Sequence, residues 1–522
     1  MIKVIDIFAG PGGLSEGFSS VDDGRKGSCF DIVLSIEKDV VACETLTLRA
    51  FFRQFKNRVP DEYYSHLRGE IDRETLYDLY PDESKAAIDR CWRAELGPGG
   101  ESENKVRKRI SKAIGNEKNW VLIGGPPCQA YSLAGRSRNL GNPDYDPKKD
   151  VRQRLYVEYL QILAEYRPAV FIMENVKGLL SATIENEGIF HRILEDLRNP
   201  AKAIIREGRG SHHVREGGYN VHSLIKDHVF LDGDLDGLVI KAEEYGIPQA
   251  RHRVILLGIR DDIKVKPRIL KKRKKVVPLR SVLAGLPKLR SGISPRKEDS
   301  SDKWVKFLQS KIVSRWANAG AVKADGRELS MYIKKCLRRI VLPKANLGGE
   351  FMKRSAPSLY QTKWYCDERI GGVCNHSSRS HMKDDLCRYF YAASYAKRHG
   401  KSPRLRNFPK DLLPEHKSVD DAIETGCLFS DRFRVQLNAR PSTTVVSHIS
   451  KDGHYYIHPD PLQCRSLTVR EAARLQTFPD NYLFCGDRTS QYLQVGNAVP
   501  PLLARQIGGI VRDLLVAVRK LS

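Results

Sequence analysis

Short apolar runs separated by longer, helix-forming stretches recur across the first half of the chain. The runs are Val4–Phe8, Ile32–Ile36, Val121–Ile123, Val170–Met173 and Val254–Ile259. Several lack polar alternation, the pattern of strands buried on both faces of a parallel sheet. Strands alternating with helices predict an α/β, doubly wound, Rossmann-like sheet. The first four runs each end in a cluster of glycine, proline or acidic residues. In such sheets ligands sit at the carboxyl ends of the strands, so chemistry is to be sought in those clusters.

The alternation breaks after Arg260. Lys264 to Lys275 (KVKPRILKKRKK) is a basic run, which reads as a solvated or phosphate-facing segment. From there to about Arg432 the periodicity fades, and the stretch reads as a smaller, irregular domain inserted into the first. Regular patterning returns at Ser466–Gln476, and a closing helix is predicted from about Pro501 to Val518. The organisation expected is a first domain over 1–260, a second over 261–464, a junction over 465–490 and a return to the first domain over 491–522. A further insertion, residues 51–118, parts the second and third runs and is rich in charged helix formers.

Composition narrows the class. A chain of 522 residues exceeds one ordinary domain, and 41% hydrophobic with 29% charged residues fits a soluble globular protein. Lysine and arginine number 88 against 63 acidic residues, a net charge of +25 that favours a polyanionic partner. A basic, well-solvated surface would show the same surplus. The 11 cysteines include no C-x-x-C pair, which argues against a disulfide framework and for a reducing cytoplasm. The first residues lack the order of a signal peptide, and no apolar run approaches the roughly 18–20 residues that span a bilayer. No membrane partner is therefore expected.

The strand-end clusters carry the candidate chemistry. The first strand empties into Asp6-Ile7-Phe8-Ala9-Gly10-Pro11-Gly12-Gly13-Leu14-Ser15. Glycines there let backbone amides approach a ligand. Ser15 stands where a dinucleotide binder has its third glycine, which disfavours a nicotinamide-dependent dehydrogenase. Glu37 ends the second strand, the usual place for an acid that holds ribose hydroxyls. The third strand ends in Gly124-Gly125-Pro126-Pro127-Cys128-Gln129, where two prolines stiffen the loop that presents Cys128. Most lone cysteines are small buried hydrophobes, but one at this edge suits a nucleophile. The fourth ends at Glu174-Asn175-Val176, and a carboxyl group so placed is partly withdrawn from water and suited to carry a proton. Helix capping is the plainer alternative. Arg251 and Arg253 in Gln249-Ala250-Arg251-His252-Arg253 are spaced to serve one anionic or carbonyl target.

In order along the chain, DIFAGPGGLSEGF (Asp6–Phe18), GGPPCQAYS (Gly124–Ser132), ENV (Glu174–Val176) and QARHR (Gln249–Arg253) resemble successive motifs of the DNA cytosine-5 methyltransferases. RSLTVREAARLQTFPDNY (Arg465–Tyr482) and QVGNAVPP (Gln494–Pro501) resemble the last two. The resemblance implies an S-adenosylmethionine-dependent methyltransferase domain with an inserted target-recognition domain, acting on double-stranded DNA. It implies that Phe8 stacks on the adenine, that Ala9, Gly10, Gly12, Gly13 and Leu14 cradle the methionine moiety, and that Glu37 binds the ribose. Pro127 and Leu155 would pack on the cofactor and Asn497 would close over it. Cys128 matches the nucleophile, Glu174 the acid at ring N3 and Arg253 the contact to cytosine O2, with Arg251 supporting that loop. Gly69-Glu70-Ile71 stands where the family's G-D-I is sought, which would make Glu70 an adenine contact. A cytoplasmic, prokaryotic monomer, accompanied by a cognate restriction or defence system, is the expected setting.

The recognition region matches no decodable pattern. Lys271, Lys272, Arg273, Lys274 and Lys275 are expected to contact DNA phosphates, and Arg379 and His381 to take part in base recognition. Cys366, Cys374, His376, His381 and Cys387 are zinc-ligand types, but their spacings fit no familiar zinc pattern, so no metal is expected. The alternative for Asn375–Arg379 is that they brace the domain. Two rival functions remain: an RNA methyltransferase with the same core, and a catalytically silent DNA-binding protein. The second would be expected to have lost Cys128 or Glu174.

Overall fold

The computed structural model describes residues 1–24, 27–126, 151–181, 183–184, 187–209, 213–230, 237–310, 313, 327–415, 419 and 430–521. Two compact units emerge. The first comprises Met1–Val59, Tyr77–Lys275 and Ala498–Ser522; the second comprises Pro60–Leu76 and Val276–Asn497.

The first unit is built on an eight-stranded sheet. Its strands are β1 (Ile2–Ile7), β2 (Phe30–Glu37), β3 (Cys91–Arg93), β4 (Val121–Gly124), β5 (Val170–Val176), β6 (Tyr219–His222), β7 (Val239–Lys241) and β8 (His252–Arg260). The order is β3-β2-β1-β4-β5-β8-β6, with β7 also paired to β8. Strands β1 to β5 run parallel, while β8 is antiparallel to its three partners. The fifth apolar run therefore sits in a mixed edge, not in the parallel sheet expected of it. Its apolar density still follows from burial on both faces: Val254 to Leu257 and Ile259 are all 2% exposed or less. The chain reverses direction across the sheet between β1 and β4, which makes their carboxyl ends the topological switch point of this α/β fold.

Glycine spacing docks the last helix. Helix α1 (Gly13–Ser19) carries Gly13 and Gly17 four residues apart on one face. A Cβ on Gly13 would stand 2.2 Å from the Val499 carbonyl oxygen, and one on Gly17 2.5 Å from that of Pro501. Only glycine lets the helix Pro501–Leu521 approach so closely. This explains why the C-terminal segment returns to the first unit.

The 51–118 insertion is divided between the units. Helix α2 (Val40–Phe52) and Tyr77 onward stay with the sheet, whereas Pro60–Leu76 joins the second unit. There Tyr64 donates to Asp367 at 2.9 Å and Arg369 pairs with Asp61. The basic run also departs from expectation, because the second unit begins at Val276 and not near 261. Residues 264–275 lie along the first unit: Leu270 is buried and its amide donates to Leu224 O at 2.7 Å, and Lys272 pairs with Glu244 at 2.6 Å.

The second unit packs around the helix Lys383–His399, whose Leu386, Tyr389, Phe390, Tyr391 and Ala392 are fully buried. Its core is unusually polar. Arg465 makes a two-pronged pair with Glu471 (2.6 and 2.7 Å), and Arg474 does the same with Asp480 (2.8 Å each). All four are at most 1% exposed. Such pairs hold only when their remaining hydrogen bonds are met, as Arg474 meets its own on the Val282 and Ala284 carbonyls.

Candidate active site

At the switch point the turn after β1 is left-handed in unusual places. Phe8 has φ 55°, which a residue with a Cβ rarely adopts, and Gly10 and Gly12 have φ 55° and 83°. Strain of this kind persists where surrounding structure fixes it, often at binding sites. A Cβ on Gly10 would meet nothing within 4 Å among the described residues, which leave open space above the turn. Glu37 reaches across from β2: its Oε2 accepts from Gly10 N at 2.8 Å, and its Oε1 from the Lys38 and Asp39 amides at 2.9 Å each. The carboxylate is thus locked in place with acceptor capacity left over.

Beneath this turn Asp6 and Ser15 are wholly buried, and the Ser15 hydroxyl donates to Asp6 Oδ2. Among the described residues the other Asp6 oxygen has no hydrogen-bond partner. Burial pushes the Asp6 carboxyl up to about 7, against the pull of Ser15 and Arg53. Glu16 behaves oppositely. Burial alone would raise it, but Arg49 and Arg53, at 2.5 and 2.7 Å, bring it down to about 2.

Two further walls come from β3 and the helix Val151–Tyr166. Strand β3 pairs in parallel with β2 and empties into Ala94-Glu95-Leu96; Glu95 forms an ion pair with Lys38, beside Glu37, at 3.3 Å. Leu155 is buried, 3.2 Å from where a Cβ on Gly97 would stand. Glu70 is placed otherwise than expected. Gly69 caps a helix, Asp61–Arg68, in the second unit, and Arg68 holds Glu70 at 2.6 Å. The acid at a strand end is Glu95, which the sequence hid because Cys91–Arg93 is a three-residue strand without an apolar run.

On the other side of the switch point, Glu174 and Arg253 meet. Register pairs Glu174 with Ile255 and Arg253 with Val176 across β5 and β8. This brings Arg253 Nε to 2.9 Å from Glu174 Oε1, a charge contact without hydrogen-bond alignment. The second Glu174 oxygen lies against Gly125, 3.2 Å from where a Cβ would be. Any residue but glycine would crowd the carboxylate. His252 Nε2, paired with Glu243 at 2.8 Å, and the Arg251 carbonyl, bonded to the Ala242 amide at 3.0 Å, hold the QARHR segment. Arg251 itself is only 3% exposed, as a bracing residue would be. Pro127 and Cys128 lie outside the described residues, immediately after Pro126.

This arrangement has a counterpart in known sequences: the C-5 cytosine-specific DNA methylase family matches residues 86–200 and 212–512. The chain belongs to that family. It is 32% identical to the type II methyltransferase M.Bpa9945I of Bacillus paralicheniformis over 98% of this chain and 99% of that one. It is 26% identical to the type II methyltransferase M.AgeI of Thalassovita gelatinovora over 98% and 99% of the two chains. With the DNA (cytosine-5-)-methyltransferase M.ApeKI of Aeropyrum pernix it shares 27% over 82% and 88%. The methylase fold thus rests on the switch-point sheet described above.

The remaining expected residues of this methylase have the following surroundings. Asn497 is exposed and ends the helix Arg488–Asn497, two residues before Val499 meets Gly13. Arg379 and His381 point inward. The Arg379 guanidinium donates to the Lys451 and Ile449 carbonyls (2.7 and 2.8 Å) and lies 4.3 Å over the Tyr492 ring. His381 is 5% exposed, stacked edge-on against Tyr389 at 4.8 Å, and burial drives its basicity far down. Both are spent on internal contacts, so bracing, not base recognition, accounts for them. Lys271, Lys274 and Lys275 are exposed on the first unit. Among the described residues no group of three or more His, Cys, Asp or Glu is arranged to hold a metal ion. His376 has both ring nitrogens committed, to Thr468 Oγ1 and Pro287 O at 2.9 Å each. Nor, among the described residues, is any helix long and apolar enough to cross a membrane.

Proposed function

We propose that this methylase transfers the methyl group of S-adenosylmethionine to C5 of a cytosine flipped out of duplex DNA. The meeting of Glu174 and Arg253 beside Gly125, at the switch point, is the observation that carries this reading. The residues present suit the cofactor. The left-handed Phe8–Gly12 turn leaves open space over Gly10, and the fixed Glu37 carboxylate retains acceptor capacity for ribose hydroxyls. Phe8, Ala9, Gly10, Gly12, Gly13, Leu14, Glu37, Pro127, Leu155 and Asn497 would hold it, with Glu95 added at the end of β3. When bound, it supplies an electrophilic methyl on a sulfonium.

The chain's own residues do the rest. Cytosine C5 is a poor nucleophile until C6 is attacked. The Cys128 thiolate adds to C6 while Glu174 gives a proton to N3, which turns C5 into an enamine-type carbon. Arg253 holds O2 and stabilises the charge that develops along the ring. After C5 takes the methyl, a water-derived base removes the C5 proton, the C5=C6 bond re-forms as Cys128 leaves as thiolate, and N3 returns its proton to Glu174. None of these atoms is reachable inside a base stack, so the base must be extruded. Arg251 braces the loop that carries Arg253.

The DNA partner is supported by the +25 charge and by the exposed Lys271, Lys274 and Lys275, which suit phosphates. The Lys272 ammonium is paired with Glu244, and the Arg273 backbone amide donates to the Glu244 carbonyl, so the segment is fixed there. The Arg273 side chain is exposed and would serve phosphates with the other three. Sequence choice would reside in the second unit, within the part of the expected region from about Lys264 to Arg432 that begins at Val276. Two of the named relatives are type II methyltransferases, and the proposed setting is the modification half of a restriction–modification pair, in the cytoplasm. Transfer of a tritiated methyl group to duplex DNA, and not to tRNA, is the expected result. Transfer to tRNA alone would overturn the reading.

A further inference from the structure

The second unit contains a pocket of about 290 Å³ whose rim carries three arginines, Arg404, Arg434 and Arg440. One acidic residue, Asp431, lines it as well, so its wall sets three positive charges against one negative. Arg434 is oriented by Asp431 on one side and by the Tyr455 ring, 5.4 Å from its guanidinium carbon, on the other. Arg440 sits on a turn pinned at both ends: the Leu279 amide donates to its carbonyl at 2.8 Å, and the Arg280 amide to that of Asn438 at 3.1 Å. Gln436 is spent inside the unit, with its amide nitrogen donating to Thr443 Oγ1 and Tyr455 O. What the pocket offers a visitor is therefore positive charge on a rigid frame.

We infer that this pocket seats a backbone phosphate of the DNA duplex; the inference rests on the proposed action on DNA. Shape decides between phosphate and base. A base edge lies at the floor of a groove and is read by side chains that protrude into it. Phosphates project from the duplex, and a concave site with arginines among its lining residues matches a projecting, tetrahedral anion. Contacts of this kind position a protein and set its affinity without reading sequence. The pocket is then an anchor for the second unit, supplying register from which other residues read bases.

The test uses the full chain with Arg404→Gln, Arg440→Gln and the double variant. DNA affinity is measured against salt, alongside S-adenosylmethionine affinity and the sequence methylated in cells. Arg434 is left intact because its guanidinium is already paired with Asp431. The expected result is weaker duplex binding, with the salt slope reduced by about one unit for each phosphate no longer held. Cofactor affinity and the methylated sequence stay as in wild type. An unchanged slope in the double variant overturns the inference, and so does a changed target sequence, which would assign the pocket to base reading. Replacing chloride by inorganic phosphate at matched ionic strength separates the two sources of the anion. Saturable binding of free phosphate that the variants abolish, with duplex affinity intact, would make this a free-anion site and also overturn the inference. A wild-type protein that fails to methylate any duplex would instead refute the proposed function.

Discussion

One arginine of the first unit and three of the second behave in opposite ways. In the first, Arg253 stands at the end of the sheet, partly exposed, facing the one carboxylate whose chemistry it would complement. In the second, Arg465, Arg470 and Arg474 are fully buried and bind carbonyls and carboxylates of their own unit. The same residue type serves chemistry where strand ends expose it and serves architecture where regular elements are scarce. A domain with short strands and many loops leaves backbone carbonyls unpaired, and buried guanidiniums, each with five donors, satisfy them.

That contrast is most exposed to test at Glu174. Glu174→Gln keeps the shape but cannot give a proton to N3, so single-turnover methyl transfer should fall by roughly 10²–10⁴-fold. DNA affinity and melting temperature should hardly change. An unaltered rate would place Glu174 with the architectural residues. The converse variant is Arg474→Ala, which removes the two-pronged partner of Asp480 and leaves it only the longer contact with Arg354, at 3.7 Å. It should destabilise the second unit by about 3–5 kcal/mol, measured by chemical denaturation. Retained stability would show that the buried pairs are not what holds this unit together.

Much of the first unit is legible in the sequence, for a physical reason. Strands buried on both faces must be apolar throughout, and glycine is compulsory where Val499 leaves no room for a Cβ and favoured where Glu174 leaves little. Those constraints write themselves into Val4–Phe8, Gly13 and Gly125. Strand β3 escapes detection because an edge strand of three residues needs no apolar run, and Glu95 is hidden with it. The second unit is less legible. Arg379 and His381 resemble DNA contacts because polar residues without periodicity look alike whether they face solvent or fill a polar core. The basic run at 264–275 reads as part of the other region, since its anchor, buried Leu270, is a single residue in a charged stretch.

Gly13→Ala probes the glycine turn. Its new methyl would meet the Val499 carbonyl, a backbone atom that cannot swing away, and overpacking of this kind costs about 1–3 kcal/mol. Calorimetry should show lower stability together with weaker S-adenosylmethionine binding. Undiminished values for both would mean the helix Pro501–Leu521 docks without help from this glycine.

A smaller effect should follow pH. The Asp6 carboxyl is pushed from its ordinary 3.8 up to about 7 by burial, so the folded state holds a proton that the unfolded chain releases. The stability this contributes is complete below about pH 3.8 and is lost as pH rises through 7. Asp6→Asn removes the penalty, so its melting temperature should gain on wild type between pH 5 and 8, by roughly a few degrees. A constant difference across that range would remove Asp6 from the pH dependence.

The proposed chemistry stands or falls on Cys128 attacking C6 of the target base while Glu174 and Arg253 support it. Duplex DNA carrying 5-fluorocytosine at the methylated position tests this step, because fluorine at C5 cannot leave as a proton does and the Cys128–C6 bond then persists. A denaturation-resistant protein–DNA complex is expected with wild type and S-adenosylmethionine, and none with Cys128→Ala. Equal trapping by Cys128→Ala would contradict the assignment of Cys128 as the nucleophile.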